Sequence, residues 1–200
     1  MQGTLPGKKR GLVRGRFQAA IVFILPFLMF GLAWFMYFSG QWLPEGRTNK
    51  GALLLPPGDF GQLQLIDKNH SFPIKQLEGK WVIVIFGSSH CTGEQCQDVL
   101  YKTRQVHIGL GREADRVARV YIAEETPTLD KALVEEHPAV FWLSTQMDSV
   151  QKALSLDHWP EDQYFIVDPL GNMMMSYQPG QEGGDLLKDM QRLLKASKIG

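Results

Sequence analysis

An uninterrupted apolar segment is the clearest pattern near the start of the chain. Residues 17–38 are 22 consecutive positions without a charged side chain. At about 1.5 Å per helical residue they span roughly 33 Å, which is enough to cross the hydrocarbon core of a bilayer. Pro26 lies within the segment, and membrane helices tolerate an internal proline better than water-soluble helices do. No Ala-x-Ala-like site follows, so the pattern predicts a single transmembrane anchor rather than a cleaved signal peptide.

Beyond residue 60, short apolar runs alternate with amphipathic stretches. A continuous β-branched and aromatic run predicts a strand buried on both faces over residues 81–86. Further strands are predicted over residues 119–123, 139–143 and 164–167. Turn residues after residue 67 and after residue 167 predict a hairpin at each end of the domain, over 62–74 and 164–177. Helical spacing predicts helices from residue 94 to about 110 and over 129–136, 146–154 and 185–195. The inward positions predicted for the first of these helices are Val99, Leu100, Val106, Ile108 and Leu110.

This order of elements predicts the domain organisation. Glycine and proline are frequent in residues 39–60, which favours a linker between the anchor and a folded domain over residues 61–200. Strands that alternate with helices indicate parallel pairing, and a terminal hairpin adds antiparallel strands at the edge. We therefore expect an α/β, thioredoxin-like domain with a mostly parallel central sheet.

The formal charge of the chain is zero, but the charges are unevenly distributed. The first 40 residues contain five cations and no acid, so residues 41–200 hold 16 basic and 21 acidic side chains, a net charge of −5. Because positive flanks stay in the cytoplasm, we expect residues 1–16 to be a cytoplasmic stub of an inner (cytoplasmic) membrane protein. The domain would then lie outside the cytoplasm, and its acidic surface argues against nucleic acid as a partner.

Cys91 and Cys96 are the only cysteines, and both lie between a predicted buried strand and the following helix. Chemistry collects at this position in α/β sheets, and a helix N-terminus favours the thiolate form. Three hypotheses stay open: a structural disulfide, a redox-active dithiol, or two sulfur ligands for Cu(I) with a histidine completing the site. A compartment outside the cytoplasm allows disulfides to persist.

Two segments resemble the Sco family of cytochrome c oxidase assembly proteins. These are Gly79–Gly87 (GKWVIVIFG), which precedes the cysteine pair, and residues 164–172 (YFIVDPLGN). The resemblance implies a single-span, thioredoxin-fold protein that faces away from the cytoplasm. It also implies a partner in cytochrome c oxidase or its assembly factors, and Cu(I) held by two cysteines and a histidine.

The chain departs from the Sco pattern at the implied copper ligands. The cysteines are spaced C-x4-C instead of C-x3-C, and the family's histidine position falls on Pro160. His158, two residues earlier, is therefore the predicted third metal ligand beside Cys91 and Cys96. Pro160 itself is a candidate for the cis-proline that thioredoxins carry beside their cysteines.

The main functional hypothesis is a membrane-anchored Sco-like protein that assists oxidase assembly by thiol–disulfide exchange or Cu(I) handling. Cys91 and Cys96 are then the candidate catalytic residues. The alternatives are a non-catalytic anchored interaction module with a structural disulfide and a general thiol–disulfide oxidoreductase. His90, next to Cys91, is either an exposed turn residue or a group that stabilises the thiolate or supplies a metal ligand. His70, His107 and His137 are predicted to lie at the surface.

Overall fold

The computed structural model describes residues 10–39 and 48–197, which belong to two separate compact units divided between residues 47 and 48. The first unit contains one long helix, and the second contains the α/β domain. Residues 1–9 of the predicted stub, residues 40–47 of the predicted linker and the last three residues of the chain lie outside the described part.

Helix α1 is Arg10–Ser39 and contains Pro26. Its stretch Ala20–Ser39 has a mean hydropathy of 2.2 and is long and apolar enough to cross a membrane by length and composition. The apolar segment predicted from the sequence therefore forms one helix, which begins seven residues before that segment.

Residues 48–197 of the domain contain one sheet of eight strands. They are β1 Ala52–Asp59, β2 Ile66–Asp67, β3 His70–Ser71, β4 Trp81–Gly87, β5 Val117–Ala123, β6 Val140–Ser144, β7 Tyr164–Val167 and β8 Asn172–Tyr177. Their order across the sheet is β1-β8-β7-β4-β5-β6-β2-β3. The strands predicted over 81–86, 119–123, 139–143 and 164–167 are confirmed as β4, β5, β6 and β7.

The sheet is mixed, so the prediction of a mostly parallel sheet is wrong. Among the strands of residues 48–197, only β4–β5 and β5–β6 are parallel pairs. The C-terminal hairpin places β7 antiparallel beside β4, and β1 extends that side with a further antiparallel strand. The hairpin of β2 and β3 adds antiparallel pairing at the other edge. The hairpins thus contribute more of the sheet than the sequence pattern suggested, while the α/β class is confirmed.

Four α-helices within residues 48–197 flank the sheet and agree with the four predicted helices. They are α2 Glu94–Gly109, α3 Lys131–Glu136, α4 Met147–Leu154 and α5 Gly183–Ala196. Within α2, Val99, Leu100 and Val106 are buried as predicted, and Leu110 is buried just after the helix. Ile108 is 63% exposed, which contradicts its predicted inward position. Residues that are two positions apart in a helix point about 200° apart around its axis, so Ile108 lies on the side opposite the buried Val106.

Strand β4 lies between two hydrophobic layers. Trp81, Ile83 and Ile85 pack on one face of the sheet with buried residues of α2 and α5. Val82, Val84 and Phe86 pack on the other face with α4 and the segment 60–77. Because successive strand residues point to opposite faces, an unbroken apolar run is what a strand buried on both sides requires.

Strand β1 lies inside residues 39–60, where the sequence predicted only a linker. It pairs antiparallel with β8 across an irregular register, and its glycine and proline residues hid this pairing from a pattern-based prediction. The residues that lead into β1 are held by the buried carboxylate of Asp189 on α5. That carboxylate accepts hydrogen bonds from the backbone N–H of Lys50 (2.7 Å), from that of Gly51 (3.0 Å) and from the hydroxyl of Tyr177 (2.9 Å).

We expect Asp189→Ala to lower the free energy of unfolding by about 3 kcal/mol, because three donors lose a shared buried acceptor. Urea unfolding of the full chain in detergent micelles, followed by tryptophan fluorescence, measures this change. Asp185→Ala is the matched control, since Asp185 is on the same helix and its ion pair with Lys188 is 4.0 Å long. The control should change the free energy by less than about 1 kcal/mol. Equal effects of the two substitutions would contradict the role of Asp189.

Candidate functional site around Cys91 and Cys96

The two cysteines lie at the junction of β4 and α2. Strand β4 ends at Gly87, Cys91 lies in the connecting loop, and Cys96 is the third residue of α2. The structure joins them in a disulfide, with their Cα atoms 5.5 Å apart. Cys91 is 1% exposed and Cys96 is 2% exposed, so the bond lies beneath the surface. The disulfide closes a short loop at the end of the central strand and does not connect distant elements.

The loop holds Cys91 in an unusual backbone conformation. Its φ is +45°, in the left-handed region that L-residues rarely adopt. Such a conformation costs about 1–2 kcal/mol for a residue with a Cβ atom. The backbone N–H of Cys91 donates to the Ser88 hydroxyl at 3.1 Å, which closes a tight turn. The turn thus supports the strained residue that carries one of the two sulfurs.

Tyr121 is the polar side chain in contact with the disulfide. It lies in β5, is fully buried, and places its hydroxyl 3.2 Å from Cys96 Sγ. The same hydroxyl donates to the Ser88 carbonyl at 2.7 Å. Burial raises the pKa of Tyr121 far above its usual value, and the negative charge of Asp162 raises it further. The tyrosine therefore stays neutral and keeps its proton.

Gly87 leaves room for the Tyr121 ring because it has no side chain. A Cβ at position 87 would lie 2.6 Å from the ring carbon Cζ and closer still to the hydroxyl oxygen. Trp142 packs on the other side of the ring, with the centroids 5.2 Å apart. The ring is thus fixed between a glycine and a tryptophan, and its hydroxyl is held at the end of β4.

Trp159, in the segment before β7, also fixes the end of β4. The Trp159 indole N–H donates to the Gly87 carbonyl at 3.2 Å, and its ring packs edge-on against Phe86. Pro160 is buried beside it. Among the described residues the one cis peptide bond is Leu55–Pro56, so the bond before Pro160 is trans and the predicted cis-proline is wrong.

The segment after β5 holds the first part of the β4–α2 loop, at Ser89 and His90. The backbone N–H of Thr128 donates to the Ser89 carbonyl at 2.8 Å. His90 is exposed, and its Nδ1 lies 3.3 Å from the Thr128 carbonyl. His90 thus occupies a surface turn and links two loops.

The predicted metal ligands are only partly brought together. Cys91 and Cys96 are bonded to each other, which leaves neither sulfur as a thiolate in this state. His158 is exposed. Within residues 10–39 and 48–197 there is no group of three or more His, Cys, Asp or Glu side chains that could hold a metal ion. The geometry thus brings two sulfur atoms together, and the assignment of His158 as a third ligand stays a prediction.

His137 differs most from its predicted surface position. It is 2% exposed, and its Nδ1 has no hydrogen-bond partner. Burial and the positive charges of Arg119 and Arg104 lower the pKa of His137 to about 4, so it is neutral at pH 7. Arg119 is itself buried, two residues before Tyr121 on the same strand face, and donates to the Leu100 carbonyl and to the Thr103 hydroxyl. The hydrogen bonds of Arg119 thus connect β5 to α2 at a position two residues along β5 from Tyr121.

Tyr121 and Gly87 are the site residues that the sequence analysis missed. A tyrosine within the predicted strand 119–123 is a usable signal, because a buried tyrosine hydroxyl usually finds a polar partner. The identity of that partner depends on the pairing of β4 with β5, which puts Tyr121 opposite Ile85 and next to the strand end.

Comparison with known proteins identifies the fold. Residues 81–197 match the model of the family described as transmembrane-like, thioredoxin-like, C-terminal domain. A search of curated protein sequences finds no match.

Among solved structures, apo Sco1 from Thermus thermophilus is 18% identical to this chain, with a TM-score of 0.56, and the match covers 74% of this chain and 99% of that one. Copper-bound yeast Sco1 is 20% identical, with a TM-score of 0.51 and coverage of 76% and 96%. Copper-bound ScoI from Arabidopsis thaliana is 18% identical, with a TM-score of 0.51 and coverage of 74% and 99%. The predicted thioredoxin-like fold is therefore confirmed.

We expect Gly87→Ala to displace Tyr121 and to lower the free energy of unfolding by about 2 kcal/mol, since a buried ring must move to admit the methyl group. Urea unfolding of the full chain in micelles measures the change. Gly180→Ala is the matched control, because its added Cβ meets no atom within 4 Å, and it should change the free energy by less than about 0.5 kcal/mol. A Gly87→Ala variant as stable as this control would contradict the close packing of the site.

Proposed function

Because the chain belongs to the family described as transmembrane-like, thioredoxin-like, C-terminal domain, we propose that it is a membrane-anchored protein that carries out thiol–disulfide exchange through Cys91 and Cys96. The observation that carries this proposal is the disulfide at the β4–α2 junction, with a tyrosine hydroxyl 3.2 Å from one sulfur. This is the edge of an α/β sheet at which reactive groups collect.

The small size of the closed loop favours exchange over a purely structural role. The two cysteines are five residues apart, and a loop of that size contributes only about 2 kcal/mol by the chain-entropy estimate. The backbone strain at Cys91 is of similar size. A bond that connects no distant elements adds little to stability, so its position beside a helix N-terminus is better explained by reactivity.

Exchange requires access to a buried bond. A partner thiolate must approach one sulfur along the S–S axis, and both cysteines are almost fully covered. The loop residues around Cys91 offer the way in, because His90, Thr92 and Gly93 are exposed. We propose that this loop opens transiently, which admits small thiols slowly, and that a bound partner protein favours the open form.

We also propose Cu(I) handling by the reduced form, as the second candidate function. Two thiolates are suitable soft ligands for Cu(I), and two of the Sco structures that share this fold contain copper. The assignment of His158 as a third ligand stays a prediction from the sequence, and the exposed position of its side chain gives it no direct support.

The cellular setting follows from the anchor and the charge distribution. We propose that α1 crosses the cytoplasmic membrane with the five N-terminal cations inside and the acidic domain outside. The resemblance of Gly79–Gly87 to the Sco family supports a cytochrome c oxidase subunit, or one of its assembly factors, as the partner. A thiol–disulfide role suits this compartment, where disulfides persist.

In a glutathione redox buffer we expect the disulfide of the full chain to be half reduced at a potential above about −300 mV, since lower values are typical of structural bonds. Alkylation of free thiols and mass spectrometry measure the reduced fraction. Reduction should lower the free energy of unfolding by no more than about 2 kcal/mol, and the double variant Cys91→Ser/Cys96→Ser supplies the bond-free reference. A bond that stays closed throughout, and whose loss unfolds the domain, would identify it as structural.

We expect the reduced protein to bind one Cu(I) in competition with a chelator, and Cys91→Ser to abolish this binding because only one sulfur ligand is left. Reduced wild-type and variant proteins are titrated side by side. The sequence-based assignment of His158 predicts weaker binding in His158→Ala, and an unchanged affinity would contradict that assignment. His70→Ala is the control, because His70 is an exposed histidine in the β2–β3 hairpin.

A further inference from the structure

The Tyr121 hydroxyl faces two acceptors but has one proton. The Ser88 carbonyl lies at 2.7 Å and Cys96 Sγ at 3.2 Å. A sulfur in a disulfide has no hydrogen, so Tyr121 is the only donor of the pair in this state. The shorter distance indicates that the proton points to the carbonyl while the disulfide is intact.

Cleavage of the disulfide changes this competition. If the electron pair of the S–S bond goes to Cys96 Sγ, that sulfur becomes an anion within reach of the hydroxyl. Hydrogen bonds to an ionised acceptor are roughly twice as strong as those between neutral groups. Rotation about the Cζ–O bond of Tyr121 is sufficient to turn the proton from the carbonyl to the sulfur. Ser88 is only half-buried, so water can bond its carbonyl in exchange.

The two sulfurs differ in this respect. Cys96 is buried in α2 and has the hydroxyl beside it. Cys91 is bonded through its backbone N–H to Ser88, and among the described residues its sulfur has no hydrogen-bond donor. A negative charge is therefore better stabilised on Cys96 than on Cys91.

We propose that Tyr121 is a catalytic residue of the exchange: its hydroxyl stabilises Cys96 as the leaving thiolate and thereby directs the incoming thiolate to Cys91. This inference rests on the proposed function. The partner's sulfur forms a new S–S bond with Cys91 Sγ, the Cys91–Cys96 bond breaks, and its electron pair stays on Cys96 Sγ. The proton remains on the Tyr121 oxygen, and Cys96 later takes its proton from water. In the oxidising direction the same steps run in reverse.

A purely structural role of Tyr121 predicts the opposite kinetic effect. Its bond to the Ser88 carbonyl holds the loop that covers the disulfide. Loss of a simple clamp would expose the bond and speed its reduction. Loss of a donor to the leaving sulfur slows reduction, so the direction of the rate change separates the two roles.

The test measures the rate at which glutathione, as the attacking thiolate, cleaves the disulfide of the full chain in detergent micelles. We expect Tyr121→Phe to react about fivefold more slowly than wild type, because the charge-assisted bond in the transition state is lost. Tyr164→Phe is the matched control, since it removes a buried hydroxyl that has no hydrogen-bond partner. Its rate should stay within about twofold of the wild-type rate.

A second measurement uses wild-type protein and so does not depend on the folding of a variant. The reaction is quenched with acid, and mass spectrometry locates the glutathione in the mixed disulfide. We expect it on Cys91. Glutathione on Cys96, or a Tyr121→Phe variant that reacts as fast as wild type or faster, would overturn the role of Tyr121 while leaving exchange itself intact. A wild-type disulfide that glutathione never cleaves would overturn the proposed function as well.

Discussion

The contact of the Tyr121 ring with Gly87 is the constraint on which the site depends. Only a residue without a Cβ at the end of β4 leaves room for the ring, and only with the ring in that place does the hydroxyl reach both the Ser88 carbonyl and Cys96 Sγ. The pairing of β4 with β5 therefore determines the geometry of the site as well as that of the sheet. It sets the distance between a tyrosine on one strand and a sulfur on the helix that follows the other.

Opposing electrostatic effects meet at Cys96. Its place in the first turn of α2 favours a thiolate, because the unpaired N–H groups of a helix N-terminus carry partial positive charge. Burial disfavours any charge there, and the acidic Glu94 in the same turn adds repulsion. The hydroxyl of Tyr121 is the local dipole that can rotate in response to the charge. Whether a thiolate at Cys96 is stabilised therefore depends on the direction in which this one proton points.

The elements with strong periodic signals were predictable from the sequence, and those formed by distant contacts were not. The run 81–86 predicted β4 because a strand buried on both faces needs an unbroken apolar sequence. Strand β1 escaped prediction because Pro56, Pro57 and Gly58 resemble a linker, and its stability comes from β8 and Asp189, more than 100 residues away in the sequence. Likewise, the position of the two cysteines was evident from the pattern, whereas their contact with Tyr121 required the strand register. His137 is buried close enough to Arg119 and Arg104 to sense their charges, and no local signal in the sequence reveals this.

The uneven charge distribution and the buried disulfide bear on the same question, namely how a partner reaches the site. An acidic domain attracts a basic partner and repels polyanions, but such long-range attraction is screened beyond a Debye length of about 8 Å at physiological ionic strength. It therefore brings a partner near without opening the loop over Cys91. Opening has to come from contacts that replace the hydrogen bonds between Ser89, His90 and Thr128. Since both loops contribute to that closure, a protein surface that contacts both at once is better suited to open it than a small thiol is, and this favours a protein substrate over a general reductant.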